Sequence, residues 1–334
     1  MAAARQRQDN LTKPQGSLGR LEELSVRLAG ITGKERPRFP RKAVFVCAAD
    51  HGVAAEGVSA FPQAVTPQMV LNFVRGGAAI NVLARRAGAR VIVADLGVAA
   101  DFPADTAIAH KKVGPGTRNM AVGPAMSPGE ARSAICAGID LVEAELVRGL
   151  DLVATGDMGI GNTTASSAIV AAITGRPVAD VTGRGTGIDE ESWRRKVATI
   201  ERALAINAVD GRNPLDVLTK VGGFEIAGLV GVILAAAAHR LPVLVDGFIS
   251  GAAALIAVAL CPRARDYLIA AHCSVEIGHR AVLERLELLP LLQLDLRLGE
   301  GTGAAMAMHL VDDAVAVLDE MATFADAGVS EKVL

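Results

Sequence analysis

Three short segments of this 334-residue chain carry residue types that could bind a phosphorylated ligand and move a proton. The first is TGDMGIGNTTAS, residues 155–166, where an acid and a glycine turn precede three side chains that form hydrogen bonds. Backbone N–H groups in such a turn, with the dipole of the next helix, favour a phosphate. Asn162, Thr163 and Thr164 could therefore reach phosphate oxygens, or they could simply cap the helix. The segment is neither a Walker A loop nor a complete G-x-G-x-x-G fingerprint.

The second segment is a glycine cluster, TGRGTGID, at residues 182–189. Arg184 lies inside this cluster, and Lys196 follows in a basic helical pattern. A glycine loop with one lysine could form the other half of a phosphate clamp. The alternative is a surface loop followed by a solvated basic helix. The two glycine segments support a common site only if both lie on the same edge of the fold.

The third segment is RLGEGTG, in which Glu300 lies between two glycines at the end of an apolar run. A carboxylate in an apolar pocket has a raised pKa and can accept a proton near neutral pH. The alternative is an acid that stabilises the N-terminus of the following helical pattern through the helix dipole. Both interpretations stay open at this point.

The histidines, cysteines and serines give weaker evidence for a functional site than these three segments do. His51 and His272 follow apolar runs and could enter a cleft, but the histidines and cysteines lack the spacing of metal ligands. We therefore predict no metal site. Ser59 and Ser274 have no visible base partner, so a hydrolase triad is not supported.

Short apolar runs indicate the elements that would position these residues. Six runs resemble buried strands: residues 43–50, 91–97, 151–157, 242–248, 267–272 and 291–301. The first four are rich in valine, which is typical of parallel strands buried on both faces. Because helical patterns separate the runs, the sequence predicts an α/β fold with a doubly wound, mostly parallel sheet and flanking helices.

Polar residues end these runs. They are Asp50, Asp95, Asp157, Asp246, His272 and Glu300. In open α/β sheets, ligands bind at the carboxyl ends of the strands. A single Asp-Gly pair would indicate only a turn, but the whole set favours a shared cleft.

Both chain ends differ in character from the middle. An amphipathic helix is predicted from Leu18 to Ala29, and the segment from Gly303 onward is mostly helical. We predict a large nucleotide-binding α/β domain at residues 43–292. Residues 1–42 and 293–334 would form a smaller, mainly helical domain that contributes Glu300 to the cleft.

Composition excludes several classes of protein. The net charge of −2 leaves no broad footprint for nucleic acid. The long apolar stretches 226–238 and 247–262 are shorter than the roughly 20 residues that span a bilayer, so we predict buried helices and no membrane partner. The N-terminus shows no apolar signal sequence, and four cysteines without metal or redox spacing indicate buried free thiols in a reducing, cytoplasmic compartment.

Seven segments resemble one family, in the same order, from about residue 11 to the end of the chain. They are LTKPQGSLGRLE, ADHGV with EGVSAFPQAVT, GTRNMAVGPAMS, GDMGIGNTT, KVGGFEIAGLVG, LPVLVDGFISGAAAL and RLGEGTGAA. This set is similar to the nicotinate-nucleotide–dimethylbenzimidazole phosphoribosyltransferases. The resemblance implies transfer of a 5-phosphoribosyl group from nicotinate mononucleotide to 5,6-dimethylbenzimidazole, for the lower ligand of cobalamin. It also implies a homodimer, and it implies no cofactor and no metal.

The resemblance assigns roles by position. Glu300 matches the general base, and Ser274 matches a substrate-proximal residue. The other matched positions are Gly159, Gly161, Asn162 and Thr163 beside the nucleotide, Gly185, Thr186 and Lys196 beside the phosphate and ribose, and Pro62 in the wall of the benzimidazole site.

Two departures from the family pattern affect these expectations. Asp157 replaces a glutamate, which shortens the acidic arm and leaves its substrate role open. Phe61 and Met69 replace small or polar residues near the base, which predicts a more apolar pocket. Two other functions stay as alternatives: a dinucleotide-dependent oxidoreductase, although Asp50-His51-Gly52-Val53 does not fit its first turn, and a non-catalytic nucleotide-binding protein.

Overall fold

A computed structural model describes residues 1–185 and 187–330. Within those residues one sheet has six strands: β1 Lys42–Ala49, β2 Ala89–Gly97, β3 Ala109–His110, β4 Leu152–Met158, β5 Val243–Val245 and β6 Leu268–Ala270. The strand order is β3-β2-β1-β4-β5-β6, and all neighbouring strands in it are parallel. The predicted doubly wound parallel sheet is confirmed.

The predicted strand at residues 291–301 is wrong. That segment contributes a single bridge, between Leu292 and His272, and is otherwise irregular. Asp295 and Gly299 have φ angles of +53° and +80°, which an extended strand does not admit. The sixth strand is instead β3, which has only two residues and therefore carries no apolar run to reveal it.

Helices flank the sheet on both faces. They are α1 Ala2–Asp9, α2 Arg20–Thr32, α3 Val65–Arg75, α4 Ala79–Arg86, α5 Pro128–Val147, α6 Asn162–Thr174, α7 Val178–Val181, α8 Glu190–Ile206, α9 Pro214–Val221, α10 Phe224–Ala238, α11 Phe248–Leu260, α12 Ile277–Leu286, α13 Thr302–Glu320 and α14 Phe324–Ala327. Short 3-10 turns lie at Gly52–Glu56 and Pro262–Tyr267. The predicted helix at residues 18–29 is observed as α2, displaced by two or three residues at its ends.

Strand β1 shows why helices cover both faces of the sheet. All of its residues are buried. Phe45 points to the apolar cluster that includes α5, α6, α10 and α11, while Val44 points to the cluster that includes α13. Because successive side chains of a strand alternate between faces, a strand of apolar residues needs a helical layer on each side.

The two longest apolar runs of the sequence lie in α10 and α11. Both helices are almost wholly buried, as predicted, and α10 packs against α5 on one face of the sheet. Over the described ranges, no helix has the length and apolarity that crossing a membrane would need.

The two ends of the chain contact each other. Helix α2 packs on α13, and the Arg7 guanidinium donates a hydrogen bond to the carbonyl oxygen of Leu318 at 2.6 Å. A β-bridge joins Leu11 to Thr323. Helix α13 also covers the sheet through Met308, so the chain ends are continuous with the main core. The division into residues 43–292 and a smaller domain stays a prediction.

The expectation of four buried thiols is wrong in part. Cys47 is buried in the core, but Cys136 and Cys261 are exposed and Cys273 is half-buried. All four are free thiols. The error has a simple cause, because Cys136 and Cys261 lie in apolar sequence but face outward from helix α5 and from the end of α11.

Candidate active site

The centre of the sheet provides a crevice for a ligand. Strands β1 and β4 are neighbours there, and the chain proceeds outward from them in opposite directions. In doubly wound sheets, this switch point opens a crevice at the carboxyl ends of the strands. A cavity of about 450 Å³ lies at that edge, lined in part by Asp157 and Met158 at the end of β4.

Most of the residues selected from the sequence meet in this cavity. Those lining it are Phe61, Met69, Asp157, Gly159, Asn162, Thr163, Gly185, Ser274 and Glu300. Gly161, Pro62 and Lys196 do not line it. Gly161 immediately precedes helix α6, Pro62 is exposed beside Phe61, and Lys196 lies behind Thr163 of the wall. Thr186 lies outside the described residues.

Glu300 has a strained and buried position. It is 6% exposed, and its φ of +62° is in the left-handed region. Its backbone rests on Gly156 of β4, where an added Cβ would lie 2.4 Å from the Glu300 carbonyl oxygen. A glycine is therefore needed at position 156 to let the Glu300 turn approach the strand.

The electrostatic environment of Glu300 suits a proton acceptor. Burial raises the pKa of the carboxyl, and a hydrogen bond from the Ile80 N–H to Oε2, 3.4 Å long, opposes the rise. The dipole alternative requires Glu300 in the first turn of a helix, but α13 begins two residues later, at Thr302. Glu300 lines the cavity instead, and its Oε2 accepts the hydrogen bond from Ile80 in the first turn of helix α4.

Asp157 is a second buried acid in the same wall. Burial holds its pKa well above the usual range, and the nearby negative charges of Asp246 and Glu225 add to the rise. The Asn162 side-chain amide opposes it by donating a hydrogen bond to Asp157 Oδ2 at 3.0 Å. Asn162 therefore orients Asp157, in addition to lying at the start of helix α6.

Asp246, at the end of β5, was recognised in the sequence only as a polar strand end. It is fully buried and accepts hydrogen bonds from the N–H groups of Gly301 at 3.2 Å and Ala304 at 2.9 Å. Burial raises its pKa to about 7, although these backbone hydrogen bonds lower it. Asp246 thus fixes the first turn of the helix that directly follows Glu300.

The two glycine segments meet in the wall of the cavity. Lys196 Nζ donates a hydrogen bond to Thr163 Oγ1 at 2.8 Å. An ideal Cβ at Gly185 would lie 3.0 Å from that hydroxyl oxygen and 3.4 Å from Lys196 Nζ. The Lys196 side chain is almost fully buried, and burial lowers its pKa to about 8. A hydroxyl, a glycine turn and a buried ammonium group therefore share one corner.

Several cavity residues were missed from the sequence. Arg297 donates a hydrogen bond to the carbonyl oxygen of Gly185 at 3.3 Å, and Glu276 and Leu298 also line the cavity. The predicted strand at 291–301 obscured Arg297 and Leu298, because it implied alternating faces instead of an irregular segment. Glu276 follows Ser274 by two residues, and only that proximity could have drawn attention to it.

The two histidines considered in the sequence, His51 and His272, have different positions relative to the cavity. His272 lines the cavity, and its Nε2 lies 3.7 Å from Asp246 Oδ1. His51 does not line it but is buried against Glu225, with 2.6 Å between Nε2 and Oε1. The possibility that His51 enters the cleft is therefore wrong for this cavity.

One end of the cavity is apolar. Phe61, Val65 and Met69 line it from helix α3 and the segment before it. Phe61 is 51% exposed and Met69 is half-buried, so both can give apolar surface to a ligand. A flat aromatic molecule would gain stacking and burial energy against such a wall.

The cavity therefore has three chemically different regions. A buried carboxylate with a raised pKa lies in one wall, hydrogen-bond donors and an ammonium group lie at the corner of the glycine segments, and apolar side chains form the third region. This arrangement can hold a phosphorylated sugar beside an aromatic ring and accept a proton between them.

Comparisons with known proteins agree on one family. The family model described as "Phosphoribosyltransferase" matches residues 1–329. A protein of Chloroflexus aggregans named nicotinate-nucleotide–dimethylbenzimidazole phosphoribosyltransferase is 66% identical over 330 residues, which cover 99% of this chain and 94% of that protein. A Roseiflexus protein of the same name is 63% identical over 332 residues, with the same coverage. The crystal structure of CobT from Thermus thermophilus has a TM-score of 0.96 and 51% identity, and covers 99% of each chain.

Proposed function

The chain belongs to the phosphoribosyltransferase family whose relatives are named for nicotinate nucleotide and dimethylbenzimidazole, and from this we propose its reaction and the residues that perform it. It transfers the 5-phosphoribosyl group of nicotinate mononucleotide to 5,6-dimethylbenzimidazole. The products are α-ribazole 5′-phosphate and nicotinate.

The bond changes define what the site must supply. A ring nitrogen of dimethylbenzimidazole forms a bond to C1′ of the ribose, while the bond from C1′ to the nicotinate nitrogen breaks. The electron pair of that bond goes to nicotinate, whose cationic ring becomes neutral. C1′ gains positive character in the transition state and is stabilised by a nearby anion and a positioned nucleophile. The dimethylbenzimidazole loses one proton.

Glu300 accepts that proton in the proposed mechanism. Glu300 lines the cavity, and burial raises the pKa of its carboxyl group, which brings its basicity closer to that useful near neutral pH. In the proposed binding mode, the ionised carboxylate also offsets the positive charge that develops at C1′. One carboxylate therefore serves both the proton transfer and the charge stabilisation.

The other regions hold the two substrates. Thr163 and Gly185 hold the phosphate at the cavity wall, and the ammonium group of Lys196, directly behind Thr163, supplies the positive charge that stabilises it. Phe61 and Met69 contact the flat face of dimethylbenzimidazole. Asp157, held by Asn162, lines the same cavity, and its carboxyl group, whose pKa burial holds well above the usual range, gives the substrates a hydrogen-bonding group there.

One observation carries the proposal. Glu300 and the two glycine segments, which are far apart in the sequence, line a single cavity at the switch point of the sheet. Neither alternative function uses this combination. An oxidoreductase would need its glycine fingerprint after β1, and a binding protein has no use for a buried proton acceptor.

A homodimer in the cytoplasm is part of the same proposal. Val275, Ile277 and Leu298 are each about half exposed and line this cavity or the one beside it, which favours a protein partner. Four free thiols fit a reducing compartment. Analytical ultracentrifugation tests the dimer, and a monomer at all concentrations would contradict it.

Product analysis tests the proposed function. Purified protein is mixed with nicotinate mononucleotide and dimethylbenzimidazole, and the products are separated by chromatography and identified by mass. We expect α-ribazole 5′-phosphate and nicotinate in equal amounts, and no product when either substrate is left out. Nicotinate released without dimethylbenzimidazole would indicate a hydrolase, and no change in either substrate would indicate a binding protein.

A further inference from the structure

Glu276 is a buried acid that the mechanism above does not use. It is 8% exposed, and it follows Ser274 immediately before helix α12. Its Oε2 atom is buried and has no hydrogen-bond partner within the described residues. Because Oε2 is covered by the protein itself, the carboxylate oxygen that a bound ligand can reach is Oε1. A carboxylate that is largely buried is costly to desolvate, so a ligand that donates a hydrogen bond to Oε1 would offset that cost.

The residues around Glu276 hold it in place. An ideal Cβ at Gly183 would lie 2.0 Å from Glu276 Oε2, so the carboxylate rests directly on the backbone of the second glycine segment. The Glu276 N–H donates a hydrogen bond to Ser274 Oγ at 3.3 Å. The negative charge of Glu276 also raises the pKa of Lys196, opposing the effect of burial. Glu276 therefore lies close to the phosphate corner.

Glu276 lies between two cavities. It lines the 450 Å³ cavity that contains Glu300, and it lines a neighbouring cavity of about 610 Å³. Gly185 and Arg297 also line both cavities. A sugar bound between Glu300 and the glycine segments would therefore have this carboxylate beside it.

We propose that the Glu276 carboxylate accepts hydrogen bonds from the ribose hydroxyl groups of the nucleotide substrate and so selects ribosyl over deoxyribosyl donors. This inference rests on the proposed function for the identity of the nucleotide. Neutral hydroxyl groups are the donors that fit, because an anionic phosphate would be repelled by a carboxylate. The phosphate has Lys196 and Thr163 nearby instead.

Binding without turnover gives the sharpest test. Calorimetry measures the affinity of wild type and of the Glu276→Gln variant for nicotinate mononucleotide and for its 2′-deoxy and 3′-deoxy analogues, without dimethylbenzimidazole. A hydrogen bond to a charged group is worth about 10- to 100-fold in affinity, so wild type should bind at least one deoxy analogue that much more weakly. In Glu276→Gln, the ribosyl donor should lose a similar factor, and the difference between donors should shrink to about threefold or less.

Two further variants complete the experiment. Glu276→Asp keeps the charge on a shorter arm and should discriminate to an intermediate degree. Glu284→Gln is the matched control, because Glu284 is on helix α12, which Glu276 directly precedes, and is exposed and paired with Arg176 at the surface. It should bind and discriminate as wild type does.

The possible results separate this inference from the proposed function. Equal affinity of wild type for all three nucleotides overturns the role of Glu276 without any variant. The same holds if Glu276→Gln weakens all three by one common factor, since the carboxylate then contacts no hydroxyl group. Ribose discrimination in wild type that Glu276→Gln removes, without product formation, would support Glu276 and reject the transferase reaction. Absence of nucleotide binding by wild type rejects both.

Discussion

The Asp246 carboxylate accepts a hydrogen bond from the Gly301 N–H, 3.2 Å from Oδ2, directly behind the proposed general base. The same carboxylate binds the Ala304 N–H through Oδ1. Because Glu300 immediately precedes Gly301 and has a left-handed backbone, these two bonds hold in place the backbone that carries Glu300. Strand β5 thus positions an acid that belongs to a different part of the chain.

Asp246→Asn is expected to lower kcat more than it changes KM for the nucleotide. The amide keeps one acceptor oxygen and puts an N–H₂ group against a backbone donor, which costs about 1–3 kcal/mol of stability. Misplacement of Glu300 should lower kcat by about 10- to 100-fold. Steady-state kinetics and thermal unfolding measure both effects, with Asp140→Asn, an exposed acid paired with Lys111, as the control. An unchanged kcat at the lower stability would show that Asp246 is only structural.

Glu300→Gln tests the proton acceptor itself. The amide has nearly the same shape but cannot accept a proton, so kcat should fall by about 10²- to 10⁴-fold, the usual contribution of a general base. The affinity for nicotinate mononucleotide should change little. Glu320→Gln, at the exposed end of helix α13, is the control. Wild-type turnover in Glu300→Gln would remove Glu300 from the mechanism.

Gly156→Ala should damage the site through a backbone contact. An added methyl group would lie 2.4 Å from the carbonyl oxygen of Glu300, a distance that forces the turn away from β4. Overpacking of this kind costs about 1–3 kcal/mol, and the displaced Glu300 should lower kcat. Gly123→Ala, where no atom lies within 4 Å of the new Cβ, should be close to neutral in both assays. Full activity in Gly156→Ala would show that the Glu300 turn tolerates displacement.

The sequence predicted the parts of the fold that local patterns determine. Strands β1, β2 and β4 have long apolar runs, so periodicity alone located them. Of the six polar residues expected to share a cleft, Asp157, His272 and Glu300 line the cavity and the other three do not, so that expectation is confirmed only in part. Strand β3 has two residues and depends on pairing with β2, which no local pattern records. The run at 291–301 resembles a strand because of its apolar residues. Its left-handed turns, which an apolar pattern does not reveal, make the segment irregular instead.

The site was predictable to the extent that turns and strand ends reveal it. Glu300 and the two glycine segments could be chosen because packing has no need for an acid between glycines or for repeated glycines after a strand. The contact of Lys196 with Thr163 joins residues 33 positions apart, and it depends on how the two loops meet. Glu276 and Asp246 act through such tertiary contacts, so residue type and spacing could not assign them.

The pKa of Lys196 predicts how substrate binding depends on pH. Burial lowers that pKa to about 8, so the ammonium group is charged below about pH 8 and loses its proton as the pH rises further. The affinity for the phosphate should therefore fall above pH 8. In Lys196→Met, KM for the nucleotide should rise by about 10- to 100-fold and lose this alkaline dependence.

A control on the same helix makes the Lys196 experiment specific. Arg194 is exposed and paired with Glu190, so Arg194→Met should keep both the wild-type KM and its pH dependence. The measurement is kcat/KM for nicotinate mononucleotide from pH 6 to 10. An alkaline decline that persists unchanged in Lys196→Met would assign the titration to a different group.

Met69→Gln tests the apolar end of the cavity. Met69 is half-buried beside Phe61, and a polar amide there would have to give up water when a flat aromatic base binds. KM for dimethylbenzimidazole should rise by about 3- to 10-fold, because roughly 1 kcal/mol of apolar contact is lost. KM for nicotinate mononucleotide should stay the same, since Met69 is distant from the phosphate corner in the proposed binding mode. Val122→Gln, which changes an exposed apolar residue outside the cavity, provides the control. An increase in KM for the nucleotide alone would place the base elsewhere and reverse the assignment of the two ends of the cavity.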